Sequence, residues 1–281
     1  MVSGGCLCGT VTWEAGELVD HMTHCHCSIC RKAHGAAFVT FLGARADVFR
    51  YLSGEDAIVD YMSSPGFVRK FCGTCGSSVP ELVRENYIAI PAGSVDGDPG
   101  QRPSAHIYVG SKAPWHVIAD DLPRYETYEN PEDDPHVEAV DHGAPTEGVL
   151  RGSCLCGGVA YEIVGGFDRI DNCHCSRCRK ARTAAHATNG FTAIENVAFV
   201  RGEDRLKTFR LPGTKYFSQV FCATCGAGMP RLDPDRQVAV VPLSSLDDDP
   251  HRHAGRHIYT ASKAVWDAIE DDLPQFETVP G

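Results

Sequence analysis

Three cysteines fall within six residues in Cys25-His26-Cys27-Ser28-Ile29-Cys30, followed at once by Arg31-Lys32. The arrangement recurs as Cys173-His174-Cys175-Ser176-Arg177-Cys178-Arg179-Lys180. A C-x-x-C turn presents two sulfurs to one ion, and the extra C-x-C thiol completes a three-sulfur face. Zinc prefers four tetrahedral ligands, so three thiolates leave one position for water or substrate. Whatever this chain folds into must build that face twice.

The doubling extends along the whole chain of 281 residues. Gly5-Cys6-Leu7-Cys8-Gly9 matches Ser153-Cys154-Leu155-Cys156-Gly157, and Phe71-Cys72-Gly73-Thr74-Cys75-Gly76 matches Phe221-Cys222-Ala223-Thr224-Cys225-Gly226. His106-Ile107-Tyr108 recurs as His257-Ile258-Tyr259, and Asp120-Asp121-Leu122-Pro123 as Asp271-Asp272-Leu273-Pro274. This pattern predicts one module used twice, over residues 1–128 and 149–281, with an exposed linker at 129–148 rich in acidic residues, Pro and Gly.

Within each module the local signals favour strands. Residues 10–14, 36–41, 68–71, 87–90 and 106–109 are rich in β-branched and aromatic side chains, with turn residues between them. The second copy repeats this at 159–163, 197–200, 216–221 and 238–241. Helix is expected only through Ser28–His34 and at 113–118. The expectation is a mostly β, antiparallel fold.

Fourteen cysteines without a basic or apolar leader point to a reduced, cytoplasmic chain in which dense Cys means metal. Disulfides fit poorly, because C-x-C sulfurs suit one shared ion better than two bridges. A net charge of −11, with no run of Lys or Arg beyond two, disfavours a nucleic-acid partner. The apolar runs are too short for a membrane span.

The seven cysteines of each module divide into four and three. Cys6, Cys8, Cys72 and Cys75, and in the copy Cys154, Cys156, Cys222 and Cys225, form closed tetrahedral sets suited to structural zinc. Cys25, Cys27 and Cys30, with Cys173, Cys175 and Cys178, form the open sets. A histidine could close them instead. His24 has Asn172 as its counterpart, however, and His26 and His174, lying between ligating cysteines, tend to point away from the ion. A thiol entering the open position would lose its proton yet stay electron-rich, a nucleophile for an electrophilic carbon. Arg31, Lys32, Arg179 and Lys180 could offset the excess charge or hold a substrate carboxylate. His106 and His257 read as hydrogen-bonded structural residues, and Trp115, Trp266, Tyr108 and Tyr259 as core or intermodule packing. Asp47, Asp56 and Glu81 offer no acid–base carboxylate pair.

Taken together, G-x-C-x-C-G, C-H-C-S-x-C-R-K and F-C-x-x-C-G resemble the family of glutathione-dependent formaldehyde-activating enzymes, which includes centromere protein V. The first motif carries Ser153 in place of Gly in the second copy. The resemblance implies a β-tent type fold of small coiled sheets and two zinc ions per module. It also implies a carbon–sulfur lyase that joins glutathione and formaldehyde as S-hydroxymethylglutathione. The familiar enzyme is a single module, whereas this chain is a tandem whose halves could pack as an intramolecular pseudo-dimer. Two other classes share the same motifs: a non-catalytic zinc module that binds a protein, with every zinc fully coordinated, and a redox or metal-handling protein that releases zinc on oxidation.

Overall fold

The computed structural model describes residues 1–130 and 142–280, so the centre of the expected linker lies outside the described residues. Each repeat builds two small sheets and a separate hairpin. In the first repeat the strands are β1 (Val2–Gly5), β2 (Thr12–Ala15), β3 (Leu18–Cys25), β4 (Val39–Arg45), β5 (Phe49–Ser53), β6 (Ile58–Ser64), β7 (Phe67–Cys72), β8 (Glu81–Arg84), β9 (Tyr87–Pro91) and β10 (Ala105–Ile107). Helix α1 (Ser28–His34) lies between β3 and β4. One sheet has the order β1-β2-β5 and the other β10-β3-β4-β9-β8, with β6 and β7 paired alone.

The second repeat follows the same plan. Its strands are β11 (Val149–Ser153), β12 (Ala160–Val164), β13 (Arg169–Cys173), β14 (Ala187–Ala193), β15 (Val197–Arg201), β16 (Leu206–Arg210), β17 (Ser218–Cys222), β18 (Arg231–Asp233), β19 (Val238–Pro242), β20 (His257–Ile258) and β21 (Gln275–Phe276), with α2 (Ser176–Arg182) after β13.

Three expectations need correction. The sheets are not wholly antiparallel: β10 runs parallel to β3, setting His106 beside His24 and Ile107 beside Cys25, and β20 repeats this against β13. Residues 113–118 are not helical: His116 N–H donates to Ala113 O at 3.1 Å to close a turn, and Asp267 N–H closes the same turn on Ala264 O at 3.1 Å with Val265 in place of Pro114. The strand expected at 106–109 also stops early, since Tyr108 turns into the left-handed region at φ 59°.

The two repeats share one core. Trp13, Leu42, Ile90 and Trp115 of the first belong to the same buried cluster as Tyr161, Ile163, Leu243 and Trp266 of the second. The two C-x-x-C turns approach each other closely. A Cβ on Gly76 would lie 2.5 Å from Phe221 Cγ, and one on Gly226 would lie 2.7 Å from Phe71 Cγ. These glycines therefore allow the left-handed turn and the approach of the other repeat at once.

Helix α1 is only seven residues long, too short to stand alone, and its ends are fixed from outside. The Cys27 sulfur caps its start by accepting from Cys30 N–H at 3.2 Å. At its end, buried His34 donates from Nδ1 to Thr183 Oγ1 of the other repeat at 2.8 Å, while that hydroxyl donates to Arg182 O. Burial pulls the His34 imidazole down to about 4. Above pH 6.5 the ring is neutral in both folded and unfolded chains; below it the unfolded chain takes up the proton first, so stability falls as pH drops toward 4. Between pH 7 and 5, His34→Gln is expected to lose about 2 kcal/mol less than the parent does, as measured by urea unfolding.

Candidate metal centres and the cavities above them

The four-thiol sets are assembled by turns distant in sequence. Cys6 and Cys8 sit in the turn between β1 and β2, while Cys72 ends β7 and Cys75 lies in the turn that follows it. The Cys6 and Cys8 sulfurs are 3.4 Å apart, and Cys8 and Cys72 3.7 Å apart across 64 residues. The copy gives 3.4 Å for Cys154 and Cys156 and 3.9 Å for Cys156 and Cys222. A tetrahedron with 2.3 Å zinc–sulfur bonds has edges of about 3.8 Å, so both sets fit one such ion. Backbone N–H groups point inward as well: Val11 N donates to Cys6 Sγ at 3.3 Å and Val159 N to Cys154 Sγ at 3.2 Å.

The three-thiol sets lie where β3 and β13 run into their helices. Strand alternation puts Cys25 on one face of β3 and His24 and His26 on the other. Cys27 and Cys30 of the helical turn join Cys25, and all three sulfurs lie within 4.8 Å of one another, as do those of Cys173, Cys175 and Cys178. Hydrogen bonds from Cys25 and Cys30 hold the Cys27 thiol well below its ordinary range, and Cys173 and Cys178 hold Cys175 down to about 2. His26 and His174 point to the opposite side: His26 Nε2 lies 2.8 Å from His106 Nδ1, and His174 Nε2 lies 2.8 Å from His257 Nδ1. His106 and His257 are bonded again at Nε2, to Asp120 at 2.9 Å and Asp271 at 3.0 Å.

A cavity opens over each three-thiol set, about 350 Å³ in the first repeat and 570 Å³ in the second. Tyr108 and Tyr259 pack against the small buried clusters around the three-thiol sets and also line these cavities, their left-handed backbone turning them out of the strand direction. The basic residues after the third cysteine are placed differently from expectation. Lys32 Nζ contacts Asp247 Oδ1 at 2.5 Å and Ser153 O at 2.9 Å, and Lys180 Nζ contacts Asp96 Oδ1 and Ser94 O, each at 2.7 Å. Both ammonium groups thus bind the opposite repeat instead of facing the cavity. Arg31 donates to Ser111 O at 2.8 Å, while Arg179 Nε is buried without a partner among the described residues.

The guanidinium groups that do reach the thiols come from elsewhere. Arg69 on β7 donates to Cys30 Sγ at 3.4 Å and pairs with buried Glu81 at 2.8 Å. The same positions in the second repeat are Gln219 and Arg231, and there Arg177 of α2 lies beside Cys175. The second cavity is accordingly the more cationic, lined by Arg177, Lys215, Arg231 and Arg236 among others, whereas Phe41, Phe67, Tyr87 and Tyr128 give the first an apolar wall. Aligning the two copies shows these exchanges as coupled changes at positions 69 and 81. That signal was available in the sequence, although it does not say which cavity the residues face.

Two repeats, each with a closed four-thiol set and a three-thiol set beneath a cavity, define a duplicated β protein organised around cysteine clusters able to hold metal. The chain belongs to the glutathione-dependent formaldehyde-activating enzyme family, whose pattern matches residues 1–111 and again 149–262. A Halomonas elongata protein bearing the family's name is 30% identical over 130 residues, covering 41% of this chain and 79% of that protein. A Rhodobacter sphaeroides protein of known crystal structure is 27% identical, with a TM-score of 0.29, covering 34% of this chain and 87% of that one. Among the described residues, no helix is long and apolar enough to cross a membrane.

Proposed function

We propose that each three-cysteine set is a zinc-dependent carbon–sulfur bond-forming centre, which adds the sulfur of glutathione to formaldehyde or a similar small aldehyde and releases it in reverse. The observation that carries this reading is the convergence of three sulfurs at the floor of a cavity large enough for a peptide-sized thiol, with a guanidinium beside them. Zinc bound there would hold an outside thiol deprotonated at neutral pH while leaving its sulfur nucleophilic. The chain's own groups do the rest. Arg69 and Arg177 offset the negative charge of clustered thiolates. The arginines of the second cavity suit the two carboxylates of glutathione, which makes that cavity the better candidate for the thiol. Addition forms the C–S bond as the carbonyl C=O becomes C–O, and the proton lost by the thiol ends on the new hydroxyl. The four-cysteine sets hold structural zinc, and the repeats work as an intramolecular pseudo-dimer in the cytoplasm, with a small thiol rather than a nucleic acid or membrane as partner.

The test follows S-hydroxymethylglutathione by NMR with labelled formaldehyde. In Cys27→Ser/Cys175→Ser the rate above the spontaneous reaction is expected to fall by more than about 10²-fold, the scale on which loss of preorganised charge stabilisation is felt. The four-cysteine sets should keep their metal. Unchanged turnover in that double variant would remove the proposal.

A further inference from the structure

On the face of β3 and β13 opposite the thiols lies a separate cavity of about 350 Å³ between the repeats, with seven histidines among its lining residues. We propose that His174, His186 and Asp267 on its wall bind one divalent metal ion, distinct from any held by the cysteine sets. Their ligand atoms lie within 4.8 Å of one another and all three residues are buried.

The hydrogen-bond pattern leaves these atoms needing a partner. Asp271 can only accept when ionised, and both its oxygens lie 3.0 Å from His257 Nε2, so that nitrogen carries a proton. With neutral rings, His257 Nδ1 then accepts from His174 Nε2, which leaves a bare lone pair on His174 Nδ1. That lone pair faces Asp267 Oδ2 at 3.9 Å, too far for a hydrogen bond. His174 Nδ1 and both nitrogens of His186 are buried and have no hydrogen-bond partner among the described residues. A cation placed among the three would satisfy His174 Nδ1, the Asp267 carboxylate and one nitrogen of His186 together. Bonds of about 2.0–2.1 Å would put such donors about 3.3 Å apart, so small side-chain rotations close the set. The Asp271–His257 pair behind His174 is the kind of support that fixes the orientation of a ligating imidazole.

The first repeat supplies an internal comparison. Its counterparts are His26, Phe38 and His116, so it has no third donor and no carboxylate. Two imidazoles and one carboxylate suit zinc, iron(II) or cobalt(II), and they leave coordination positions facing the cavity.

Metal analysis of the full chain, loaded with zinc and then dialysed, tests this. The parent is expected to retain one more ion per chain than His186→Phe, which reproduces Phe38, and one more than Asp267→Asn. With cobalt(II), the ion lost should take no sulfur-to-metal charge-transfer absorption with it. Equal metal content in the parent and both variants overturns the proposal, showing that the cluster is satisfied by protons alone. Should a variant fail to fold, anomalous diffraction from zinc-loaded parent crystals decides: a peak among the three atoms is expected, and filled cysteine sets with none there overturns it.

Discussion

Serine at both Cys75 and Cys225 is expected to yield a chain without cooperative structure at 25 °C, and prolonged chelation of the parent is expected to do the same. Each four-thiol set joins the turn after the first strand of its repeat to the C-x-x-C turn more than sixty residues later, with Cys72, Cys75 and Cys222 almost fully buried. Structural zinc sites contribute on the order of 10–16 kcal/mol, against a net domain stability of about 5–15 kcal/mol. The two C-x-x-C turns also meet through Phe71 and Phe221, whose rings are 6.4 Å apart, so damage to one repeat reaches the other. Cys27→Ser should behave differently, since Cys25, Cys27 and Cys30 lie within six residues and close no long loop. Near-UV circular dichroism and amide exchange measure both. A Cys75→Ser/Cys225→Ser chain unfolding as cooperatively as the parent, at a similar denaturant concentration, would show that these sets do not hold the fold together.

What the sequence disclosed was mostly local. Cysteine spacing within turns marked all four sets, and Ser28–His34 was legible as a helical turn because its cap is a cysteine of the motif itself. Apart from the joining of the two cysteine pairs in each four-thiol set, pairings made across long separations were not legible. The parallel contact of β10 with β3 joins residues about eighty positions apart, and no short-range pattern separates it from an antiparallel one. Arg69 and Glu81 are each unremarkable alone and acquire meaning only when β7 and β8 bring them beside Cys30. Tyr108 looked like a strand residue because its neighbours are apolar, yet its left-handed backbone decides where the ring goes. Arg31-Lys32 read as one basic pair, but helical geometry sends adjacent side chains in different directions, one to Ser111 and the other to the opposite repeat.

Lys32→Met is expected to destabilise the chain by about 3–5 kcal/mol, and Lys180→Met by far less, although the two lysines occupy the same motif position. Each reaches into the loop after the ninth or nineteenth strand of the other repeat, Lys32 to Asp247 and Lys180 to Asp96, the reciprocal exchange expected of a two-fold interface. The environments differ because one chain has only one connection between its repeats. That connection returns over Asp247: His142 Nε2 lies 3.4 Å from its carboxylate, and Arg151 donates to His142 O at 2.8 Å. Lys32 and Asp247 side chains are therefore 11% and 7% exposed, whereas Asp96 is 61% exposed. Removing Lys32 takes the ammonium from a buried carboxylate and leaves it only Ser153 Oγ at 2.9 Å and His142; removing Lys180 leaves Asp96 in water, where an ion pair contributes about 0–1 kcal/mol. Urea unfolding of Lys32→Met, Asp247→Asn and their double variant should give a coupling energy above about 1 kcal/mol, and the Lys180–Asp96 cycle one near zero that shrinks further with salt. Equal coupling in the two cycles would mean that the connection does not shield the first pair, and that the asymmetry between the repeats arises elsewhere.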